Sequence, residues 1–496
     1  MAEIVGLDFG TTNSLVSVVS GGRVLALTAE DDLPHPSVVW YHGTEVVVGR
    51  QAKGQLAEPA LGIVGDVVGS PKRYLGRGEL LVVGGVSRHP SDPVAAILGY
   101  LKGQARGQGH DFESAVVTIP VAMDGRGRRD LRDAAAKAGI GILQFVHEPL
   151  AALYGYLRTQ ENAELLIQEL QDQLILVFDW GGGTLDLTLC QLSGRTVTQV
   201  VNLGNTNVGG DQFDLRLRNF VVQRHLDEHG IRSHVDVEPN ADRVLVARCE
   251  SAKIELSRRA TTTVFVPNYL RTDGPARTLE VNLSREDLET VTTDVVEDGI
   301  RTIHALLELV GRNPESVGLC LAAGGMVQMP RIQERLIEIF GARRLPRIDH
   351  GDRIISAGAA WIAHDRARLT LAKPVELLNA DDSYVTIVPA GTNLPIENES
   401  YEQELAMYCV DPRDGYAKFH FARPEWPARL QAGDRRMPYA NLAVAVDPGA
   451  KPLYERLNVY VSIDHDLVAE VRTRSSLFED EHRSEIFDLE FGMRIP

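Results

Sequence analysis

The first 365 residues alternate between short β-rich runs and longer stretches with the apolar spacing of helices. The runs that we predict as strands are Ile4–Phe9, Leu15–Ser20, Ala115–Ile119, Leu174–Phe178, Leu185–Cys190 and Val317–Ala322. The stretches that we predict as helices are Gly127–Ala138, Pro149–Leu157, Gln212–His229, Asp242–Leu256, Arg285–Val310 and Arg331–Phe340. Regular alternation of strands and helices is typical of an α/β protein, so we expect that fold class for this part of the chain.

The pattern changes beyond about Arg368. Runs such as "LNVYVSID" and "LVAEVRTRS" are short and partly alternating, and Pro, Gly and Asp separate them. This pattern predicts an all-β, sandwich-like domain. The joint "RARLTLAKP" is short and ends in Pro374. We therefore expect an α/β domain over residues 1–367, a linker over residues 368–374 and a β-sandwich over residues 375–496.

Composition and charge narrow the choice of partners. The chain has 496 residues, of which 44% are hydrophobic and 24% are charged, as in ordinary globular proteins. Its 51 basic and 68 acidic side chains give a net charge of −17, which argues against nucleic acid or an anionic membrane surface as the main partner. A nucleotide site remains compatible with this charge, because phosphate sites are built locally from backbone N–H groups and one or two cations.

Cysteine spacing and the first residues bear on the compartment. The four cysteines are scattered and form no C-x-x-C pair, so we expect reduced core residues and neither disulfides nor a zinc site at Cys190, Cys249, Cys320 and Cys409. No basic region precedes "IVGLDF", and no apolar run reaches the ~18 residues that a membrane span needs. We therefore expect a cytoplasmic protein.

One acidic, glycine-rich turn occurs twice. "IVGLDFGTTNS" and "LVFDWGGGTLD" each begin as an apolar strand and continue with an aspartate, Asp8 or Asp179, and a turn rich in Gly and Thr. The chain has neither a P-loop nor a Rossmann fingerprint. Hairpins from the two halves of a duplicated domain can face each other and grip a polyphosphate with backbone N–H groups. Either stretch alone is equally compatible with an ordinary hairpin, but the pair favours a nucleotide site whose aspartates hold hydrated Mg²⁺.

The sequence resembles the DnaK-type heat-shock chaperones, the heat-shock protein 70 family of the actin-like ATPase superfamily, in an ordered series of segments. These are "GLDFGTTNS", "AVVTIPVAMDGRGRRDLRDAAAKAGI" with "VHEPLAALYGY", "VFDWGGGTLD", "NTNVGGDQFD", "CESAKIELS" and "AAGGMVQMPRIQ". The resemblance covers nearly the whole of the first 365 residues. It implies a duplicated actin-like (ribonuclease H-like) ATPase domain with two lobes, then a smaller β-sandwich domain. It also implies a part in the stress response, with ATP or ADP, Mg²⁺ and K⁺ as cofactors.

The resemblance implies roles for individual residues. Those that would act in hydrolysis are Lys72, Glu148, Asp179, Thr184 and Asp186. Those that would bind the nucleotide are Gly10, Thr11, Thr12, Asn13, Gly181, Gly182, Gly183, Gly209, Gly210, Glu250, Lys253, Ser257, Gly324, Gly325 and Asp352. Those that would organise the metal ion are Asp8, Asp179 and Glu148, and those that would relay a conformational switch are Pro120 and Arg128. Without the surrounding match, Lys72 is better explained as a solvated loop lysine, and the spacing of Glu250, Lys253 and Ser257 is equally that of a solvated helix face.

Some positions depart from the family pattern. Gln328 stands where the family commonly stacks an arginine on the adenine, and Ile254 faces it, so we expect weaker base stacking. Gln144 stands where the family presents an arginine to the J-domain. Because the loss of a bidentate cation is costly, we expect weaker recruitment of a J-domain co-chaperone. Trp180 and Leu150 replace the family's usual leucine and threonine.

The β-rich region carries a fainter resemblance to the family's substrate domain, in "VPAGTNLPI" (Val388–Ile396) and "IDHDLVAEVRTRS" (Ile463–Ser475). No helical lid follows these strands, so we expect weak, fast-exchanging binding of an unfolded or specialised polypeptide. The expected function is that of an ATP-dependent chaperone-like protein with slow hydrolysis and a nucleotide exchange factor as a further partner. The alternatives are a nucleotide-dependent filament or scaffold, a metabolite kinase with Asp186 as its base, and an inactive ATPase that serves as a binding module.

Overall fold

The computed structural model describes residues 3–56, 62–232, 236–426, 435–478 and 480–495. Its elements form two α/β lobes followed by an all-β region, which is the fold class that the sequence predicts. The outer ends of the expected domain ranges, residues 1–2 and Pro496, lie outside the described residues.

The first lobe is built on a mixed sheet. Its strands are β1 (Glu3–Phe9), β2 (Asn13–Ser20), β3 (Arg23–Leu27), β4 (His35–Pro36), β5 (Val38–His42), β6 (Glu45–Val48), β7 (Gly62–Val64), β8 (Val67–Gly69), β9 (Leu81–Val83), β10 (Val86–Arg88), β11 (Phe112–Ile119) and β12 (Gly141–His147). Its helices are α1 (Arg50–Lys53), α2 (Ser91–Gly107), α3 (Gly125–Lys137) and α4 (Glu148–Thr159). The main sheet has the order β12-β11-β1-β2-β3, with β1, β11 and β12 parallel and β1, β2 and β3 in an antiparallel meander.

The second lobe repeats this topology. Its elements are α5 (Ala163–Glu169), β13 (Leu174–Trp180), β14 (Leu185–Ser193), β15 (Thr196–Asn205), α6 (Gly210–Glu228), α7 (Ala241–Leu256), β16 (Thr261–Val266), β17 (Leu279–Ser284), α8 (Arg285–Leu309), β18 (Val317–Ala323) and α9 (Pro330–Phe340). The chain then returns to the first lobe as α10 (Ile354–Asp365). Strands β13, β14 and β15 form an antiparallel meander, and β18 runs parallel to β13 as β11 runs parallel to β1. Each repeated turn therefore joins the first two strands of a meander.

Helix α10 packs against α4 and the first-lobe sheet at van der Waals distance. A Cβ atom on Gly358 would lie 1.8 Å from the carbonyl oxygen of Ala151, and a Cβ atom on Gly6 would lie 2.1 Å from the amide nitrogen of Ala360. Such close backbone approach is possible only without a side chain, so these glycines set the distance between α10 and the sheet.

Eight of the remaining strands form two four-stranded sheets, and the other two join the sheet of the second lobe. The remaining strands are β19 (Leu369–Leu371), β20 (Val375–Leu378), β21 (Tyr384–Val388), β22 (Tyr401–Tyr408), β23 (Tyr416–Pro424), β24 (Arg436–Ala445), β25 (Arg456–Ile463), β26 (Ala469–Ser475), β27 (Glu481–Ile486) and β28 (Phe491–Arg494). The sheet orders are β21-β20-β23-β24 and β22-β25-β26-β27. Inward-facing residues of both sheets, such as Phe421 and Val459, are fully buried, as in a sandwich.

Strands β19 and β28 extend the second-lobe sheet to the order β18-β13-β14-β15-β28-β19. β28 pairs with β15 at Val197 and Thr198, and β19 pairs with the other side of β28. A Cβ atom on Gly492 would lie 2.9 Å from the carbonyl oxygen of Val197 and 3.3 Å from Oγ1 of Thr370, so the two neighbouring strands close on this glycine. Part of the segment that the sequence predicts as a linker is thus a strand of the sheet.

The first prediction concerns Gly358. In Gly358→Ala the added methyl group would overlap the backbone of α4, so we expect the free energy of unfolding to fall by about 2–4 kcal/mol. The control is Gly99→Ala, because Gly99 lies in α2 and a Cβ atom there meets nothing within 4 Å. That change should raise the free energy of unfolding by roughly 0.5–1 kcal/mol, since alanine loses less backbone entropy. Chemical denaturation of both variants measures these changes, and equal effects would contradict the close packing of α10.

Candidate functional site

A cavity of about 540 Å³ lies between the two lobes. Most of the residues that the sequence predicts for a nucleotide site line it: Asp8, Gly10, Thr11, Thr12, Asn13, Pro120, Glu148, Asp179, Gly181, Gly182, Gly183, Thr184, Asp186, Glu250, Lys253, Ser257, Gly324, Gly325 and Asp352. The lining comes from both meanders, from α7 and from the segment after β18. The structure therefore brings together residues that are up to 344 positions apart in the sequence, from Asp8 to Asp352.

The two repeated turns meet at this cavity. A Cβ atom on Gly182 would lie 3.0 Å from Oγ1 of Thr12, so the second turn touches the first with no room for a side chain. Gly324 has φ +86°, and a Cβ atom there would lie 2.6 Å from Oδ1 of Asp179. The backbone of the loop after β18 can approach Asp179 only because this position is glycine.

Gly209 and Gly210 do not line the cavity but support the second turn from behind. A Cβ atom on Gly209 would lie 2.3 Å from the carbonyl carbon of Gly183. The N–H of Gly210 donates to the carbonyl of Gly181 at 3.2 Å, and the N–H of Asp211 donates to the carbonyl of Gly182 at 2.7 Å. These bonds fix the turn at the N-terminus of α6, where a helix dipole favours an anion.

Four carboxylates converge on the turns. Burial, followed by the charge of Glu148, raises the pKa of Asp8 to about 6. Burial and the charges of Glu148, Asp186 and Asp8 raise the pKa of Asp179 well above its ordinary value. Burial and the charge of Glu148 also raise the pKa of Asp186. This concentration of negative charge in a buried site fits a bound cation.

One ion pair reaches into this acidic group. Nζ of Lys72 donates to Oε1 of Glu148 at 2.7 Å, and the lysine side chain is only 4% exposed. Lys72 does not line the cavity itself, but its partner Glu148 does. Hydroxyl groups complete the polar contacts, since Thr118 donates to Asp8 at 2.6 Å and Thr184 donates to Asp186 at 2.8 Å. Asp8 and Asp186 are thereby fixed in orientation.

A magnesium ion fits this donor set through its water ligands. Among the described residues, no group of three His, Cys, Asp or Glu side chains is spaced to hold a metal ion directly. The charge of Asp8 contributes to the raised pKa of Asp179, and a cation between these carboxylates and a polyphosphate would offset that repulsion. Mg²⁺ commonly binds proteins through one or two carboxylates while it keeps several waters. The observed geometry agrees with that mode.

A second charged group lies at the cavity, beside the N-terminus of α6. Nζ of Lys253 pairs with Asp214 at 2.8 Å and donates to the carbonyl of Gly210 at 3.1 Å. Glu250 pairs with Lys53 of α1 at 2.7 Å, across the mouth of the cavity. Burial, followed by the charge of Asp214, raises the pKa of Asp211 to about 7. The lysine that the sequence assigns to the nucleotide is thus already tied to the base of α6.

The family model described as Hsp70 protein matches residues 4–82 and 80–378. The chain belongs to the Hsp70 family. It is 31% identical over 361 residues to proteins named "Chaperone protein DnaK" from two strains of Halobacterium salinarum. Each match covers 72% of this chain and 55% of the relative, so the chain spans about half the length of the curated relatives that it matches.

The departures from the usual Hsp70 sequence have local structural reasons. The indole of Trp180 is fully buried, donates its N–H to the carbonyl of Val208, and packs edge-on against Phe213 at 5.9 Å. A Cβ atom on Gly299 would lie 2.3 Å from this ring, so Gly299 provides its space. Gln328 and Ile254 both line the cavity, where the sequence places the base.

Arg128 lies outside the cavity. It is 2% exposed, and its guanidinium donates to the carbonyls of Asp466, Leu467 and Phe487 in the β-rich region. Pro120, by contrast, lines the cavity. Of the two predicted switch residues, Pro120 directly follows β11 and lines the cavity, whereas Arg128 lies near the start of α3 and contacts the β-rich region.

The sequence patterns do not predict several further residues of the site. Asp211 and Asp214 lie within "NTNVGGDQFD", where the glycines alone are singled out, and Arg73 adjoins Lys72. Lys53 has no motif around it, and only its pairing with Glu250 reveals its place. Separately, no helix in the described part of the chain is long and apolar enough to cross a membrane.

The second prediction concerns the cost of crowding carboxylates. Because burial and neighbouring charges raise the pKa of Asp179, its ionised form destabilises the folded protein in the absence of ligand. Asp179→Asn removes this charge, and we expect the free energy of unfolding without nucleotide to rise by roughly 1–3 kcal/mol at pH 7. The difference from wild type should shrink as the pH falls toward the ordinary carboxyl pKa, because Asp179 then binds a proton in the folded protein.

Denaturation of both proteins between pH 7 and pH 5 measures this effect. The control is Asp294→Asn, since Asp294 forms an exposed pair with Arg216 and should change the free energy of unfolding by less than about 1 kcal/mol. A loss of stability in Asp179→Asn at pH 7 would contradict the electrostatic account.

Proposed function

We propose that this chain is an ATP-dependent, chaperone-like protein. In this proposal, slow Mg²⁺-dependent hydrolysis of ATP between the lobes changes the affinity of the β-sandwich for a polypeptide client. The observation that carries it is the buried contact between the β-rich region and the first lobe. Arg128 of α3 makes part of this contact, and His147, the residue before Glu148, makes the other part. A cytoplasmic location belongs to the same proposal and agrees with the free, buried state of the four cysteines.

The hydrolytic site would work mainly by positioning and electrostatics. Backbone N–H groups of the two turns would hold the phosphates of ATP from both lobes. Bound Mg²⁺, with Asp8 and Asp179 holding its waters, would supply positive charge to the phosphates. Lys72 would stabilise the negative charge of the terminal phosphoryl group, and its bond to Glu148 keeps its ammonium in place. Glu148 and Asp186 would orient the attacking water. K⁺ beside the phosphates is a further part of the proposal.

A short chain of contacts links Glu148 to the β-sheets. Glu148 is the first residue of α4 and follows His147 directly. The His147 ring packs on Phe491 of β28, with ring centroids 4.7 Å apart, and its Nδ1 bonds to Oε1 of Gln199 at 2.7 Å. Movement of β28 would therefore displace the backbone that carries Glu148, which supports coupling in both directions.

Arginines of α3 form the second link. Arg128 reaches carbonyls of the β25–β26 turn and of the segment before β28, and it stacks on Phe491 at 5.6 Å. Arg132 forms an ion pair with Asp466 in the same turn. Both side chains are largely buried, so these charges are well placed to sense whether the β-sandwich is docked.

Gln144 bears on the proposed co-chaperone. Its side chain is 3% exposed, donates to the carbonyl of Ala367 at 3.1 Å and accepts from the N–H of Leu369 at 3.1 Å. The amide is thus committed to the linker in this conformation. We propose that a J-domain, if one is recruited, contacts other residues, and that an exchange factor acts at the mouth of the cavity. No observation in the described residues favours a filament or scaffold.

The third prediction tests the proposed function by single-turnover hydrolysis of ATP with Mg²⁺ and K⁺. We expect slow hydrolysis that an unfolded polypeptide accelerates. Thr184→Ala should lower the rate by about 100-fold or more, because it removes a donor beside the transferring group. Thr263→Ala is the control, since the exposed hydroxyl of Thr263 donates to Asn282 on the β16–β17 hairpin, which does not line the cavity. Absence of hydrolysis in wild type would refute the ATPase, whereas a rate indifferent to polypeptide would refute the coupling alone.

The fourth prediction tests the link through Arg128. Arg128→Ala would leave three β-domain carbonyls without their donor, so we expect the docked arrangement to weaken. Polypeptide should then no longer accelerate hydrolysis, while ATP still binds with an affinity within a few-fold of wild type. Arg106→Ala is the matched control, because Arg106 is exposed and pairs with the exposed Asp111. Retained acceleration in Arg128→Ala would exclude this route.

A further inference from the structure

Arg73 is a cation of the phosphate site that the proposed mechanism does not use. It follows Lys72 in a short 3₁₀ helix, Pro71–Tyr74. Its Nη2 atom is buried and has no hydrogen-bond partner among the described residues. A buried guanidinium nitrogen without an acceptor is costly, so its position calls for an anion that is not part of the chain.

The Nη2 atom points at the second phosphate turn. A Cβ atom on Gly183 would lie 3.1 Å from Nη2 of Arg73 and 3.3 Å from Oγ1 of Thr12. That hydroxyl is likewise buried and without a partner. Donors from two separate segments of the first lobe therefore converge on one glycine of the second lobe, and neither has an acceptor there. A phosphate oxygen between the turns would satisfy both.

Arg73 differs from Lys72 in what its charge already contacts. The ammonium of Lys72 already forms an ion pair with Glu148, with Nζ 2.7 Å from Oε1. Arg73 forms no ion pair with a carboxylate in the described ranges, although Asp8, Asp179 and Asp186 lie around the same turns. A guanidinium remains charged at all relevant pH values, and its planar fork matches two phosphate oxygens. Arg73 is therefore the better placed of the two cations to bind an incoming phosphoryl group.

We propose that Arg73 is a nucleotide-binding residue that, together with Thr12, donates to the terminal phosphoryl group of ATP and so separates ATP from ADP. Gly183 marks the position of this phosphoryl group, because Gly183 adjoins Thr184 and lies next to both Arg73 and Thr12, where the two turns meet. The inference rests on the proposed function in one respect, namely that a nucleotide occupies the cleft. It goes beyond that function by assigning the recognition of the third phosphate to a particular side chain.

Calorimetric titration of the full chain with Mg²⁺-ATP and with Mg²⁺-ADP tests this assignment without relying on turnover. Arg73→Ala should weaken ATP binding by roughly 10- to 100-fold, as expected for a lost charge-assisted hydrogen bond, and should change ADP binding by less than about 3-fold. Arg73→Lys should recover part of the ATP affinity, because the charge returns without the fork. Arg77→Ala is the control, since Arg77 lies four residues further on and is exposed.

A second titration uses inorganic phosphate added to the ADP-bound protein. Wild type should bind phosphate more tightly than Arg73→Ala by a similar factor. Equal loss of ATP and ADP affinity in Arg73→Ala, with an unchanged unfolding temperature, would overturn the assignment to the terminal phosphate. Unchanged ATP affinity would overturn any role in binding. If wild type binds neither nucleotide, the proposed function itself fails, and this outcome is distinct from the other two.

Discussion

The edge of the second-lobe sheet is the constraint on which the arrangement of the molecule depends. An uncovered β15 would present a row of N–H and C=O groups without partners, which proteins avoid at exposed edges. β28 covers β15 and β19 covers β28, so the lobe, the linker and a strand from the β-rich region form one hydrogen-bonded unit. Because one of these strands precedes the β-sandwich in the chain and the other follows it, their pairing holds the sandwich against the second lobe.

The same pairing places a hydrophobic residue next to the end of β12, the strand that leads into Glu148. Phe491 is fully buried and packs on His147, and burial lowers the pKa of that histidine to about 3. The ring is therefore neutral at physiological pH and contributes one hydrogen bond to Gln199 without adding a charge beside Glu148. Because His147 is neutral, β28 can pack next to Glu148 without changing the electrostatic interactions between Lys72 and the neighbouring carboxylates.

The sequence was sufficient for the local features of the fold. The strands before each repeated turn are apolar and end in an aspartate, and their signals are short-range, so β1, β2, β13 and β14 could be predicted with the cleft between them. β28 could not be predicted in its position. Its four residues, Phe491–Arg494, carry too little pattern, and they pair with a strand almost 300 residues earlier in the chain. Long-range pairing of short strands depends on packing that no local pattern encodes.

In the candidate site, too, local features could be predicted from the sequence and long-range contacts could not. The two repeated turns, which we propose to bind phosphate, could be predicted because glycine and aspartate are needed there for reasons of backbone space and charge. Lys253 could be recognised but not its salt bridge with Asp214, since that contact depends on how α6 and α7 pack. Arg73 was hidden for another reason. Its neighbour Lys72 carries the recognisable pattern, and only atomic positions reveal which of two adjacent cations already has a partner.

Gln144 shows how a departure from a family pattern can be explained by the docked linker. A side-chain amide offers a donor and an acceptor, and Gln144 uses one for the carbonyl of Ala367 and the other for the N–H of Leu369. An arginine offers donors only, so it would leave the N–H of Leu369 buried without an acceptor. Glutamine at this position therefore favours the conformation in which β19 is paired, and an arginine would favour its release. Gln144, for which we expect a weaker contact with a J-domain, is thus also the residue that holds the linker in the sheet.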